Sequence, residues 1–246
     1  MRFKVIVSYD GTSFNGWQKQ NDVRTIQQEL EDAIAKIEER DVQIVGSGRT
    51  DAKVHARAQV FHFDALKPLT ESDWFRALNG LTSDAIKIES VTRVSEKFHA
   101  RYDAIEKTYY YLINTGTFDV FSRNYIYQYG QKLAVDKIKE AAELFEGTHD
   151  YSSFNATPLD EIPDQVRTIK KITIDQEGDL VTIGITGDGF LRYMVRIIVG
   201  SLIAVSEEKL TTETIALYLS KPRKAVIPYK APAHGLSLMK VNYKDS

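Results

Sequence analysis

The spacing of hydrophobic residues predicts a series of strands and helices in the first hundred residues. Apolar side chains alternate with other residues near the N-terminus, which is the period of a β-strand, at Phe3, Val5, Val7 and Tyr9. After Thr25, which begins a capping-box pattern, apolar residues recur at helical spacing and predict a helix of about four turns. Strands near 42–48, 57–64 and 86–94 and a helix begun by Thr70 or Ser72 complete the order β-α-β-β-α-β. This split βαβ order is typical of an antiparallel sheet backed by two helices.

The second half repeats this order of elements in outline, without repeating the sequence. Its predicted strands lie near 108–113, 166–175, 179–186 and 235–241, and its predicted helices near 135–145, 190–205 and 212–219. A long polar connection spans 147–165, and loops of that length in a compact domain are often functional. A boundary near 100–107 divides the chain, so we predict an α+β protein with domains 1–104 and 105–246.

Composition is that of an ordinary globular protein, with 43% hydrophobic and 27% charged residues among 246. No window approaches the uninterrupted apolar length of a transmembrane helix, and the N-terminal apolar run is too short for a signal peptide. Cysteine is absent, which excludes disulfides, thiol nucleophiles and thiolate metal ligands. We therefore expect a cytoplasmic protein with no membrane segment.

Charge is nearly balanced overall but uneven along the chain. The net charge of −2 gives no general sign of nucleic-acid binding. Acidic residues crowd the first predicted helix, whereas basic residues concentrate in other segments: Arg49, Lys53 and Arg57; Lys170 and Lys171; Arg192 and Arg196; Lys221, Arg223 and Lys224. The fold could bring these together as one basic face, although such clusters are often only solvated surface.

The segment Gly46-Ser47-Gly48-Arg49-Thr50-Asp51-Ala52-Lys53-Val54-His55-Ala56 is the strongest candidate for chemistry. It connects two predicted strands, and loops held by rigid strands often carry catalytic residues. Arg49, two positions from Asp51, could keep that carboxylate ionised and oriented. The alternative is that Asp51 only bonds nearby backbone N–H groups in a turn.

Other polar patterns are individually weaker. Arg192 and Arg196 are four residues apart on the predicted 190–205 helix, a spacing that suits phosphate recognition or simple solvation. Tyr109 and Tyr111 point the same way on their strand and could stack on a base or pack in the core. The glycine-rich Gly187-Asp188-Gly189 lacks the Lys-Ser/Thr of a phosphate loop, which excludes nucleotide hydrolysis by that device.

Six motifs together resemble the TruA family of tRNA pseudouridine synthases from end to end. They are Tyr9-Asp10-Gly11-Thr12-Ser13-Phe14-Asn15-Gly16-Trp17-Gln18, Gly48-Arg49-Thr50-Asp51-Ala52-Lys53-Val54-His55-Ala56, Lys107-Thr108-Tyr109-Tyr110-Tyr111, Gly147-Thr148-His149-Asp150-Tyr151, Met194-Val195-Arg196-Ile197-Ile198-Val199-Gly200 and Ala231-Pro232-Ala233-His234-Gly235-Leu236. One departure is Lys53, where the family usually has glycine. A side chain there could alter the turn or add a phosphate contact.

The resemblance implies a role for each matching residue. Asp51 corresponds to the catalytic aspartate, Arg49 to the arginine that pairs with it, Tyr109 to the tyrosine that stacks on the target base, and Arg196 to an active-site arginine. The implied fold has two ferredoxin-like halves, with antiparallel sheets joined edge to edge and a basic cleft between them. The implied enzyme is a homodimer without cofactor or metal that acts on uridines 38, 39 and 40 of the tRNA anticodon arm.

The chemistry that the resemblance implies leaves three routes open. Asp51 could attack C1′ of the sugar, attack C6 of the base, or remove a sugar proton. Basic residues near the loop and on the predicted helix, Lys53, Arg57 and Arg192, are candidates for RNA contacts. Two other function classes remain: a non-catalytic RNA-binding module on the same scaffold, and a metal-dependent hydrolase using Asp51, His55 and His149.

Overall fold

The computed structural model describes residues 1–244, which form two compact units. The first unit comprises Met1–Ile105 together with the segment that begins at Ser237, and the second comprises Glu106–Leu236. The sequence predicts a boundary near this point but assigns the last strand to the second half, whereas the structure groups that strand with the first unit.

Ten strands and five helices occur among the described residues. The strands are β1 Arg2–Tyr9, β2 Val45–Gly46, β3 His55–Asp64, β4 Ile86–Val94, β5 Ala104–Asn114, β6 Tyr127–Gln128, β7 Gly147–Asp150, β8 Val166–Glu177, β9 Leu180–Gly187 and β10 Leu236–Tyr243. The helices are α1 Ile26–Glu38, α2 Glu71–Leu81, α3 Val135–Glu143, α4 Met194–Ser206 and α5 Thr212–Ser220. The predicted mixture of helices and sheet is therefore confirmed.

In the first unit the strands lie in the order β4-β1-β3-β10, with β2 also paired to β3. β1 is antiparallel to both neighbours, and β10 runs parallel to β3. The alternation predicted for β1 is confirmed, since Phe3, Val5, Val7 and Tyr9 are all buried. The Thr25 side chain accepts a hydrogen bond from Gln28 N, which fixes the start of α1 where the sequence predicts it.

The strand predicted at 42–48 is much shorter in the structure. Val42 and Ile44 are buried as their pattern suggests, but only Val45–Gly46 pairs with β3. The backbone N–H of Ile44 donates instead to the Glu31 carboxylate at 3.2 Å. A side chain on α1 thus replaces the strand partner at this position.

In the second unit the strands lie in the order β5-β9-β8-β7, with β6 beside β5. The segment 147–165 is not the polar loop that the sequence suggests. It begins with β7, which pairs with β8, and continues as a buried 3₁₀ turn at Ser152–Phe154. None of the helices among residues 1–244 is long and apolar enough to cross a membrane.

Helix α4 is the buried centre of the second unit. It begins at Met194 rather than near 190, because Tyr193 has φ +61° and cannot continue a right-handed helix backwards. The apolar residues Val195, Ile198 and Leu202 recur at helical spacing on α4 and are buried. Arg192 consequently lies in the turn before α4, whereas Arg196 lies in its first turn.

Candidate active site

The loop between β2 and β3 carries Asp51, and its backbone is held at several points. Trp17 N donates to Thr50 O at 3.0 Å, and Lys53 N donates to Phe14 O at 3.3 Å. Within the loop, Val54 N donates to Asp51 O at 3.1 Å. These bonds hold Asp51, which is half-buried, in a turn with a fixed backbone.

The Asp10–Trp17 segment supports this loop through two glycines. At Gly11 a Cβ would lie 2.0 Å from Val54 O. At Gly16, where φ is +89°, a Cβ would lie 2.6 Å from Thr50 O. Only glycine permits the two backbones to approach so closely, which accounts for the glycines of the first motif.

The Tyr9 hydroxyl forms a buried contact with the same loop. It lies 2.8 Å from Thr50 Oγ1, and the tyrosine is 4% exposed. Burial raises the pKa of Tyr9, so the hydroxyl stays protonated and available as a donor. Thr50 is therefore fixed through both its backbone and its side chain.

Three predicted basic residues lie on or beside this loop. Arg49 is exposed, and its Nε donates to Gln18 Oε1 at 3.0 Å. Lys53 is exposed with φ +66°, so the turn is kept with a lysine in a conformation that glycine adopts more easily. Arg57 is exposed on β3. The expected pairing of Arg49 with Asp51 stays a prediction.

The histidines of the proposed hydrolase have other contacts. His55 is 5% exposed, and its Nδ1 accepts from Gly11 N at 3.1 Å and lies 3.2 Å from Asp10 Oδ1. His149 Nε2 lies 2.9 Å from Glu146 O. Within residues 1–244, no group of three His, Asp or Glu side chains is arranged to hold a metal ion.

Tyr109 lies on β5 in the second unit, opposite Ile185 of β9. The predicted alternation is confirmed, because Tyr109 and Tyr111 are buried and Tyr110 is exposed. The Tyr109 ring meets Phe190 edge to face, with centroids 5.2 Å apart and an interplanar angle of 85°. Phe190 thus orients the ring that the resemblance implies for base stacking.

The start of α4 gathers three cations around the Tyr193 ring. Arg192 and Arg196 have Cζ atoms 5.1 and 5.3 Å from its centroid, and Lys230 Nζ lies at 4.3 Å. The left-handed backbone of Tyr193 turns the ring so that residues before and after it both reach it. Sequence reasoning identified the two arginines but missed Tyr193 and Lys230, because spacing alone does not reveal a left-handed residue.

Two bonds hold the backbone of Arg192 against the Asn155–Thr157 segment. Arg192 N donates to Thr157 Oγ1 at 2.9 Å, and Ala156 N donates to Arg192 O at 2.9 Å. Lys224 Nζ in turn donates to Thr157 O at 2.7 Å and to Asn155 Oδ1 at 3.0 Å. The turn that precedes α4 is thereby fastened to a buried part of the 147–165 segment.

Arg196 is fixed by the last motif of the chain. Its Nε donates to Ala231 O at 2.9 Å, and its own carbonyl accepts from Ala231 N at 2.9 Å. Nearby, the Tyr111 hydroxyl donates to Pro232 O at 2.8 Å. A Cβ at Gly235 would lie 2.7 Å from the Tyr111 ring, so the glycine permits this close packing.

The structure thus groups the predicted residues by unit. Arg49, Asp51 and Lys53 share one loop of the first unit, with Arg57 on the following strand. Arg192 and Arg196 meet at Tyr193 in the second unit, where Tyr109 lies on β5.

Comparisons with known proteins agree on one family. A family model described as tRNA pseudouridine synthase matches residues 5–103 and 141–244, which include Asp51 and Arg196. Tyr109 lies between the two matched segments.

Curated proteins are similar over the whole length. The chain is 43% identical over 246 residues to "tRNA pseudouridine synthase A 1" of Bacillus cereus, covering 99% of each chain. It is 41% identical over 248 residues to "tRNA pseudouridine synthase A" of Bacillus pumilus, covering 100% of each. A similar protein of that name from Bacillus licheniformis is 42% identical over 249 residues, again covering 100% of each.

Proposed function

The chain belongs to the tRNA pseudouridine synthase family, and from that premise we propose that Asp51 is the catalytic carboxylate with which it converts uridine to pseudouridine in tRNA. The observation that carries the proposal is the family match across both units, which includes the loop bearing Asp51. The geometry supports it, because the backbone around Asp51 is held by Trp17 and Phe14. A carboxylate on a fixed loop can be presented to substrate without first being ordered.

The reaction is an isomerisation, and its atoms balance without a co-reactant. The N1–C1′ bond breaks, the uracil turns, and a C5–C1′ bond forms; the proton lost from C5 is balanced by one gained at N1. A carboxylate can serve by attacking C1′, by attacking C6 or by removing a sugar proton. All three routes need Asp51 ionised, so each predicts loss of activity in Asp51→Asn.

The neighbouring residues take roles suited to their positions. Arg49 orients the carboxylate once substrate is bound, although its Nε contact in the structure is with Gln18. Tyr109 holds the detached uracil while it rotates, and the target base leaves its stack to reach the site. Arg196, whose guanidinium is fixed by Ala231, contacts the substrate nucleotide.

RNA binding relies on exposed cations and on tRNA shape. Lys53, Arg57 and Arg192 are exposed and can contact backbone phosphates, which position RNA without reading its sequence. The target is the anticodon arm at uridines 38, 39 and 40, and the enzyme acts in the cytoplasm as a homodimer. The two units correspond to two ferredoxin-like halves; the strand order β4-β1-β3 with β2 beside β3 supports this for the first unit.

The test is tritium release from tRNA labelled at uridine C5, comparing wild type with Asp51→Asn, each with and without a chelator. We expect release by wild type alone and unchanged tRNA binding by both proteins. Turnover by Asp51→Asn would remove Asp51 from the chemistry. Tight binding without release by either protein, with or without chelator, would favour the RNA-binding module. Cleavage of the tRNA that the chelator abolishes would favour the metal-dependent hydrolase.

A further inference from the structure

Gln59 lies on β3, directly behind the loop that carries Asp51, and its side chain is completely buried. Its Oε1 accepts from Ser47 Oγ at 2.6 Å and from its neighbour Val60 N at 3.1 Å. Its Nε2 donates to Gly48 O at 3.1 Å. One amide thus joins β3 to the two residues that lead into the Arg49–Asp51 turn.

These partners determine which way the amide faces. Val60 N can only donate, so it requires the amide oxygen, and Gly48 O can only accept, so it requires the amide nitrogen. Reversing the amide would place two donors together and two acceptors together in a buried site, where an unpaired polar group is costly. The site therefore needs a side chain with an acceptor and a donor in fixed positions.

A second contact extends the same support to Thr50. The Tyr9 hydroxyl lies 2.8 Å from Thr50 Oγ1 and also interacts with the Gln59 side chain. Together, Gln59 and Tyr9 restrain Ser47, Gly48 and Thr50, three of the four residues immediately before Asp51. The amide contacts the Ser47 and Tyr9 hydroxyls, Val60 N–H and Gly48 C=O, and the Ser47 hydroxyl also interacts with Tyr243. Burial raises the pKa of both tyrosines, so neither is charged at neutral pH.

We propose that Gln59 is a positioning residue, whose buried amide sets the path of the Ser47–Thr50 backbone and thereby the placement of the Asp51 carboxylate. The inference rests on the proposed catalytic role of Asp51. Gln59 touches no substrate and acts only through the loop. Its effect should therefore appear in kcat, because a small displacement of a catalytic group slows the chemical step.

The first variant, Gln59→Met, keeps the length and approximate volume of the side chain but removes the donor and the acceptor. We expect kcat for pseudouridine formation to fall on the order of 10- to 100-fold, with KM for tRNA changed by less than about threefold. KM is spared because the proposed phosphate contacts at Arg57 and Arg192 lie outside the Ser47–Thr50 segment. Rates are corrected for the folded fraction measured by melting.

The second variant, Gln59→Glu, separates positioning from simple loss of stability by its pH dependence. A protonated carboxyl can still accept from Ser47 and donate to Gly48 O, as the amide does. A carboxylate would instead turn an acceptor towards Gly48 O. The kcat of Gln59→Glu, divided by the wild-type kcat at the same pH, should therefore rise as pH is lowered. Dividing by wild type removes the titration of Asp51 itself.

Asn79→Asp is the matched control in the same unit. The Asn79 amide also bridges backbone groups, since Oδ1 accepts from Ile88 N at 2.9 Å and Nδ2 donates to Phe75 O at 3.1 Å. These bonds join α2 to β4 and not to the Asp51 loop. The melting temperature of Asn79→Asp should change with pH. Its kcat, divided by the wild-type kcat at the same pH, should not change with pH.

The outcomes distinguish failure of the positioning role from failure of the proposed function. Loss of kcat in Gln59→Met together with acid rescue of Gln59→Glu supports positioning. Unchanged kcat in Gln59→Met, or a Gln59→Glu ratio as flat as that of Asn79→Asp, overturns it while the function stands. If wild type releases no tritium, the proposed function fails, and the positioning role fails with it.

Discussion

Lys53 occupies a backbone conformation in the Asp51 loop that is unfavourable for a residue with a side chain. Its φ of +66° lies in the left-handed region, which costs a residue with a Cβ about 1 kcal/mol. The glycine that the resemblance implies at this position would have a physical explanation, because glycine adopts that conformation freely. Keeping lysine there retains a positive charge two residues from Asp51.

We expect Lys53→Gly to raise the free energy of unfolding by about 0.5–1 kcal/mol, since it relieves this conformation. It should also weaken tRNA binding and lower the salt dependence of binding by close to one ion, if Lys53 contacts a phosphate. Urea unfolding and tRNA titration at several salt concentrations measure the two effects. A less stable variant would contradict the first, and an unchanged salt slope the second.

Gly16 gives a second expectation at the scale of one residue. In Gly16→Ala the new Cβ would meet Thr50 O at 2.6 Å from a backbone at φ +89°. The Asp51 loop must then shift, so kcat should fall at least about tenfold and stability by about 1–3 kcal/mol. Gly80→Ala is the control, because nothing lies within 4 Å of its Cβ. It should leave the rate unchanged, and equal rates for the two variants would contradict the expectation.

The sequence predicts which residues could take part in chemistry better than it predicts their backbone conformations. An arginine and an aspartate in a loop between strands identified the Arg49–Asp51 segment without any structure. The left-handed backbone of Tyr193, and with it the role of Lys230, has no local signature because neither glycine nor asparagine is present there. Tertiary contacts determine such conformations. Here, the backbone of the preceding residue, Arg192, donates to Thr157 Oγ1 and accepts from Ala156 N.

At the scale of elements, the start of α4 depends on a segment distant in sequence. Thr157 Oγ1 accepts from Arg192 N, and Thr157 is buried. Thr157→Val keeps the shape of the side chain but leaves that N–H without its acceptor, at a cost of about 1–3 kcal/mol.

We expect Thr157→Val to loosen the turn and raise KM for tRNA about three- to tenfold, since the cations around Tyr193 are then less well placed. Steady-state kinetics measure this. Thr148→Val is the control, because Thr148 is exposed and its hydroxyl bonds to Thr168 on the neighbouring strand. Similar KM values in both variants would show that the turn needs no support from Thr157.

Element type was easier to predict than element extent. The strand at β1 and the start of α1 follow directly from alternation and from Thr25. The strand at 42–48 was overestimated because a buried apolar pattern does not say which group bonds the backbone, and here it is Glu31. β7 was missed because Gly147–Asp150 is polar and exposed or half-buried.

At the scale of the whole molecule, stability should depend on pH through His62. This histidine is 4% exposed, and its Nδ1 accepts from Ala100 N at 3.1 Å. Burial, assisted by the positive charge of Arg2, lowers the pKa of His62 to about 4 from an ordinary value near 6.5. The folded protein therefore binds this proton less readily than the unfolded chain does.

Between about pH 6.5 and 4 the unfolded chain takes up a proton that the folded protein does not, so the free energy of unfolding should fall as pH falls. The loss should be roughly 1–3 kcal/mol over that window and absent above it. His62→Gln keeps an acceptor for Ala100 N and removes the titration, so its stability should vary less with pH. Urea unfolding of wild type and His62→Gln at pH 7 and pH 5 tests this. The same change in the free energy of unfolding between the two pH values in both proteins would contradict it.

The mixture of helices and sheet and the family were both accessible from the sequence. The six motifs, among them those around Asp51 and Arg196, occur in the family's order along the chain, and the resemblance is recognised from their residue types. The membership of β10 could not be predicted, because its alternating pattern fits an edge position in either half. In the structure β10 pairs in parallel with β3, with Ser237 opposite His55 and Leu238 opposite Ala56.

That register has a consequence for how the protein is made. The strand that completes the unit bearing Asp51 is synthesised only after the whole of the second unit. The second unit can fold as it emerges, while the first waits with one side of β3 uncovered. A nascent or prematurely terminated chain therefore lacks the strand that flanks His55 and Ala56. Translation to the end of β10 is therefore a condition for completing the unit that bears Asp51.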